Sequence, residues 1–279
     1  MPQQFTNRAQ LSYNNTVVLS NTVTGEIADV LSISKTVLED SYTVGGRLTY
    51  VVNLVNSDTV PLTDLTLVDD LGAGTGGTPL LTYVDGSVHY FADGVEQPAP
   101  TATGGTTLTI TGISVPAGGN AAVIYETTVN EYASPEVGAV LTNTVTASGD
   151  GTTTVTASAT VPANVGPVLT ISKTLSPLVV TASGVITYTF LIRNNGNEAA
   201  GADDNLNLTD TFNPILSGIT VTYNGAPMAA SGYTYDEGTG VFQTTAGSIE
   251  VPAGTFTQNE DGTWTSTPGE ATLTITGTI

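Results

Sequence analysis

The sequence predicts an all-β protein built from two tandem immunoglobulin-like β-sandwich domains, preceded by an N-terminal extended donor strand. Three observations carry that expectation. Short runs rich in Thr and Val, which favour strands, alternate with clusters of the 31 glycines and 14 prolines. No stretch longer than about ten residues keeps a helical period. The chain also repeats itself, and the repeat unit has the size of one domain.

The repeat fixes the element order. VLSISKT at 30–36 recurs as VLTISKT at 168–174, and LTYVVNLVN (48–56) matches ITYTFLIRN (186–194). LTLVDDL (65–71) matches LNLTDTF (206–212), VPAG recurs at 115–118 and 251–254, and AAVIYETTV (121–129) matches ATLTITGTI (271–279). Each half yields about seven short strands with turn residues between them, the pattern of an immunoglobulin-like sandwich. The expected boundaries are a tail and linker at 1–29, a first domain at 30–148, a linker at 149–167 and a second domain at 168–279.

The two halves end differently. The first continues past VIYETTV into AVLTNTVTAS (139–148), whereas the second stops at Ile279, one strand short. A counterpart lies in the N-terminal tail. Asn143 precedes Lys173 by 30 residues, and Asn7 precedes Lys35 by 28. The tail thus reads as the final strand of a preceding domain. Phe5, Asn7, Ala9 and Leu11 would enter the core of an open domain on alternate positions, by donor-strand complementation. Donor and acceptor at opposite ends make a heterologous contact, which grows an open filament unless it closes. A tail folded back onto its own second domain, or one forming an extra edge strand, are the competing geometries.

Composition excludes several classes of partner. With 25 acidic residues against 5 basic ones, the net charge is -20. No basic surface exists to neutralise phosphates or an anionic bilayer, so neither nucleic acid nor a membrane surface is an expected partner. The charge suits a solvated, self-repelling surface. There are no cysteines, so disulfides and thiolate metal sites are absent. No apolar run is long enough to cross a membrane, and MPQQFTNRAQ lacks a secretory signature. An extracellular location, on a cell or spore surface, is expected, with release such as mother-cell lysis around a spore as one route.

The chain's two lysines, Lys35 and Lys173, occupy equivalent repeat positions. Residues two apart on a strand share a face, so Leu31, Ile33 and Lys35 point together, as do Leu169, Ile171 and Lys173. Parity also turns Asp69 inward with Leu65 and Leu67, and Asp210 with Leu206 and Leu208. Asn143 follows Leu141 and precedes Val145 on one face. Lysine is rarely buried without a partner. A Lys, an Asp and an Asn per domain suggest a reaction. Burial favours a neutral amine and a protonated carboxyl, the amine attacks the asparagine carbonyl, and the acid promotes loss of ammonia. The product is a Lys–Asn isopeptide bond, formed once and without a cofactor. The plain alternative is a buried Lys–Asp ion pair with a hydrogen-bonded Asn.

The motifs V-L-[ST]-I-S-K-T, L-x-L-x-D and L-T-N-T-V-T resemble the bacterial cell-surface repeats known as domain of unknown function 11. Those are immunoglobulin-like modules whose relatives include isopeptide-forming fimbrial domains. The resemblance spans nearly the whole chain. It implies a first crosslink from Lys35 and Asn143 with Asp69, and a second from Lys173 with Asp210 and an incoming Asn7. Asn21, in LSNTVTG, is a rival to Asn7 as the incoming residue. The chain departs from the family layout in being short and in splitting a repeat across its termini.

Other signals are weaker. His89, the sole histidine, reads as a strand surface residue, and no histidine triad or zinc site is available. Trp264 either stacks on a sugar or packs a hairpin. The acidic loops at Asp203–Asn205 and Asn259–Asp261 lack the spacing of an established calcium loop, so no metal is expected. The leading expectation is a structural subunit of an extracellular fibre, a homopolymer whose crosslinking is autocatalysis rather than enzyme turnover. The alternative is an adhesin module binding a glycan or protein ligand.

Overall fold

The computed structural model describes residues 3–13, 16–27, 29–73, 77–149 and 152–279. It is all-β apart from one 3-10 turn at Ala230–Gly232. Residues Met1–Ala133 and Val140–Pro162 belong to one compact unit, and Ser134–Ala139 and Ala163–Ile279 to another.

The N-terminal segment carries β1 (Gln3–Asn7), β2 (Gln10–Tyr13), β3 (Thr16–Leu19) and β4 (Val23–Ile27). The single extended strand expected here is one arm of a hairpin: β1 pairs antiparallel with β4, and β2 with β3. Phe5, Leu11, Val18 and Val23 are all largely exposed on it.

The first sandwich follows with β5 (Leu31–Val37), β6 (Arg47–Asn56), β7 (Leu62–Asp69), β8 (Leu81–Tyr83), β9 (His89–Ala92) and β10 (Val95–Gln97). It continues through β11 (Thr101–Thr103), β12 (Leu108–Val115), β13 (Asn120–Val129), β14 (Val140–Ser148) and β15 (Val155–Pro162). One sheet runs β10-β9-β13-β6-β5, with β8 also on β13; the other runs β11-β12-β7-β14-β15. Strict alternation fills the space between them. Leu48, Tyr50, Val52 and Leu54 of β6, Leu65 and Leu67 of β7 and Ile110 of β12 are all essentially inaccessible. The linker expected at 149–167 thus contains β15, a strand of this unit that pairs with all but the last residue of β14.

The second sandwich comprises β16 (Leu169–Ser176), β17 (Val185–Asn194), β18 (Thr209–Thr211), β19 (Ser217–Tyr223) and β20 (Ala226–Pro227). After these come β21 (Tyr233–Asp236), β22 (Val241–Thr244), β23 (Thr255–Gln258), β24 (Trp264–Thr267) and β25 (Gly269–Thr278). The large sheet runs β16-β17-β25-β19-β20, the smaller β18-β22-β21, and β23 pairs with β24. Its core joins Ile186, Tyr188 and Phe190 to Phe212, Phe242 and Leu273. Asn56 and Asn194, at matching strand ends, are buried in both units and hold the adjoining loops. Asn56 donates to the Val60 and Pro116 carbonyls, and Asn194 to that of Glu198.

Candidate functional site: two lysine–aspartate pairs

In the first unit β5 and β7 lie in facing sheets, which brings Lys35 against Asp69. Lys35 Nζ donates to Asp69 Oδ2 at 2.5 Å, and the side chains are 0% and 2% exposed. The Tyr125 hydroxyl donates to the same oxygen, and the Leu71 N–H donates to Oδ1 at 2.9 Å. The ammonium stands 4.7 Å from the Tyr50 ring centre, and the Tyr50 and Tyr125 rings stack at 5.6 Å. Burial lowers the Lys35 pKa, with Asp69 opposing, and burial raises the Tyr50 and Tyr125 phenols.

Asn143 completes this cluster from β14. Pairing sets Val145 opposite Asp69, so Asn143 stands on the same inward face two residues away. Its Oδ1 accepts the Gly72 N–H at 3.1 Å, a donor it shares with Asp70 Oδ1 at 2.9 Å. Leu71 and Gly72 both have positive φ, 53° and 67°, and this turn aims one N–H at Asp69 and the next at Asn143. Asn143 is fully buried, and its Nδ2 makes no hydrogen bond of normal geometry among the described residues, although its side chain bears on the Tyr50 and Tyr125 phenols. An unpaired buried amide costs about 1–3 kcal/mol. Chemically, the cluster holds a carbonyl polarised at its oxygen, an amine with depressed basicity, and a carboxyl group beside that amine.

The second unit repeats half of this arrangement. Lys173 Nζ donates to Asp210 Oδ2 and lies 4.5 Å from the Tyr188 ring centre and 5.4 Å from that of Phe212. Ile275 pairs with Tyr188 where Tyr125 pairs with Tyr50, so Asp210 has no phenol donor among the described residues. The pair is also open: the Lys173 and Asp210 side chains are 39% and 19% exposed. Leu169 and Ile171 are 39% and 59% exposed, whereas Leu31 is 2%. The reason is topological. In the first unit β7 pairs with β12 on one side and β14 on the other, but β18 pairs with β22 alone among the described residues.

The remaining sequence-predicted residues lie apart from these pairs. Asn7 faces solvent on β1 opposite Val23, and Phe5, Ala9 and Leu11 are exposed on the same segment. Asn21 falls between β3 and β4, outside both strands. His89 is an exposed strand residue beside Glu96, and Trp264 is half-buried on β24. No acidic or histidine group able to hold a metal occurs among the described residues. Tyr50, Tyr125 and the 71–72 turn were not anticipated. The inward parity of Tyr50 with Leu48 and Val52 is the signal that could have shown the first of them.

No family model matches the chain, and no curated protein matches it. Solved structures resemble it distantly. The major pilin subunit of Bacillus cereus matches at 13% identity over 95% of this chain and 73% of the pilin, with a TM-score of 0.34. The full-length major pilin of Corynebacterium diphtheriae matches at 12% over 85% and 58%, with a TM-score of 0.36. The collagen-binding subdomain of an Enterococcus faecalis surface protein matches at 12% over 48% and 97%, with a TM-score of 0.29. Likeness at this distance carries no function across. No helix among the described residues is long and apolar enough to cross a membrane.

Proposed function

We propose that the chain is a structural subunit of an extracellular fibre, polymerising head to tail as the N-terminal segment of one copy completes the second unit of the next. One observation carries the reading. The two units hold equivalent Lys–Asp pairs, but the first is sealed by a strand bearing Asn143, and the second is open where that strand would lie. The N-terminal segment offers β-structure with exposed apolar side chains and Asn7 among them.

The same reading gives the trio a covalent role. A proton passes from Lys35 to Asp69, and the neutral Nζ bonds to Cγ of Asn143 while the Gly72 N–H stabilises the developing charge on Oδ1. The Cγ–Nδ2 bond then breaks. Nδ2 leaves as ammonia with its own two hydrogens and the proton held by Asp69, which takes up the second proton that Nζ sheds on becoming an amide nitrogen. Lys173, Asp210 and an incoming Asn7 are the matching set between copies. Each bond forms once, so the chemistry is self-modification and not turnover.

Deletion of residues 1–15 tests the polymerisation. Folded monomers that form no filaments are expected; filaments from the truncated chain would sink the reading.

A further inference from the structure

We infer that the donor is the whole N-terminal hairpin, docking as a two-stranded unit on the second sandwich of another copy. In this arrangement β1 and β2 lie along the free edge of β18, and β3 and β4 lie over β16. The inference rests on the head-to-tail reading above and adds the form of the donor and its register.

The first unit contains the template. There β14 and β15 form a hairpin in which Asn143 pairs with Ala159, sixteen residues on. In the N-terminal hairpin Asn7 pairs with Val23, also sixteen residues on. Each hairpin leads through a short span into a lysine-bearing strand, β15 into β16 and β4 into β5. The inward face of β14–β15 carries Leu141, Asn143, Val145 and Ala147 with Ala159 and Val161, all buried. By alternation, the corresponding face of the N-terminal hairpin carries Phe5, Asn7, Ala9 and Leu11 with Val18 and Val23, all exposed. Residue sizes are exchanged across the pair. Leu141 faces Val161, whereas Phe5 faces Gly25, where a Cβ would come within 2.4 Å of the phenyl ring.

The acceptor selects a hairpin over a single strand. In the first unit β15 lies against β5, and Leu31 and Lys35 are buried. In the second, the matching face of β16 exposes Leu169 and Ile171. One added strand beside β18 would fill the place of β14 and leave β16 uncovered. Two strands cover both. Transferring the pairing of Val145 with Asp69 and Thr146 with Val68 sets Ala9 opposite Asp210 and Gln10 opposite Thr209. Asn7 then stands to Lys173 and Asp210 as Asn143 stands to Lys35 and Asp69. Asn21, outside the paired strands, takes no such position.

The absence of native cysteines makes disulfide trapping clean. The full chain carrying Gln10→Cys and Thr209→Cys, both at exposed sites, is expected to give a ladder of disulfide-linked multimers on oxidation. A register-shifted pair, Gln10→Cys with Asn207→Cys, is expected to give none. Adding Val23→Asp, on the apolar face of the second arm, is expected to abolish the ladder, and Val17→Asp, on the opposite face, to leave it intact. Circular dichroism of each variant establishes that the monomer is folded. Absence of both ladder and filaments in folded protein would overturn the head-to-tail reading itself. Filaments whose crosslinks form only in the shifted register, or ignore Val23→Asp, would overturn the hairpin donor and leave polymerisation standing. A disulfide confined to monomers would show the hairpin closing on its own chain and overturn the second copy as occupant.

Discussion

Replacing Asp69 by alanine should damage the first unit far more than Asp210→Ala damages the second. Asp69 Oδ2 accepts from Lys35 and from Tyr125, and Oδ1 accepts from the Leu71 N–H. Alanine removes the acid that promotes the bond to Asn143, so Lys35, whose side chain is 0% exposed, stays an unreacted amine without a counter-ion, and two further donors are orphaned. Removing one partner of a buried pair costs about 3–5 kcal/mol, and orphaned donors add to it, so about 4 kcal/mol or more is expected. The Lys173 and Asp210 side chains are 39% and 19% exposed in the uncomplemented chain. Water replaces the lost partner there, so the matched change should cost about 1 kcal/mol or less. Urea melts of monomeric protein read both. Trp264, the sole tryptophan, reports the second unit by fluorescence, while circular dichroism reports the whole chain. Equal losses for the two variants would refute the burial argument, and so would a loss of under about 1 kcal/mol for Asp69→Ala.

Three further outcomes follow from the same geometry. The double change Lys35→Met with Asp69→Leu should recover the part of the Asp69→Ala loss that comes from the unpaired buried amine, because an apolar pair needs no desolvation of charge; a urea midpoint as low as that of Asp69→Ala would contradict this. Alkaline pH should destabilise the first unit. Tyr50 and Tyr125 are raised above 10.0 by burial, so their contribution is complete below pH 10.0 and lost as pH climbs beyond it. In chains that have not formed the bond to Asn143, Lys35, lowered from 10.5, acts oppositely: below 10.5 the unfolded chain takes the extra proton, so stability rises with pH until the phenols dominate. Melts from pH 8 to 11.5 on the protein and on Tyr50→Phe should show the alkaline fall weakened in the variant. Finally, Phe5→Ser with Leu11→Ser should leave the monomer melt unchanged, since the side chains are 55% and 65% exposed. It should weaken assembly by about 3 kcal/mol or more, over about a hundredfold, as read by sedimentation.

Much of this architecture is legible in the sequence because strand periodicity is short and strict. Lys35 and Asp69 share faces with apolar neighbours two residues away, and that parity alone turns them inward. Other features depend on contacts that no local pattern records. Tyr125 reaches Asp69 across the sandwich, from a strand 56 residues away in sequence. VTASATVP (155–162) reads as a linker because its inward residues are small, yet Ala159 and Val161 are buried by pairing with β14. The N-terminal segment reads as one extended strand because its second arm, TVVLSNTVTG, resembles any Thr/Val-rich run; the sixteen-residue pairing of Asn7 with Val23 is a tertiary fact. The openness of the Lys173–Asp210 pair likewise follows from the edge of β18 that no strand among the described residues pairs with, and not from the composition of β16.

The most direct measurement is the intact mass of assembled protein after complete denaturation. Each chain should be lighter by one ammonia for the bond from Lys35 to Asn143. Multimers should survive denaturation, with one further ammonia lost at each junction between copies. Monomers at the unmodified sequence mass would contradict this, and would reduce both lysine–aspartate clusters to ion pairs.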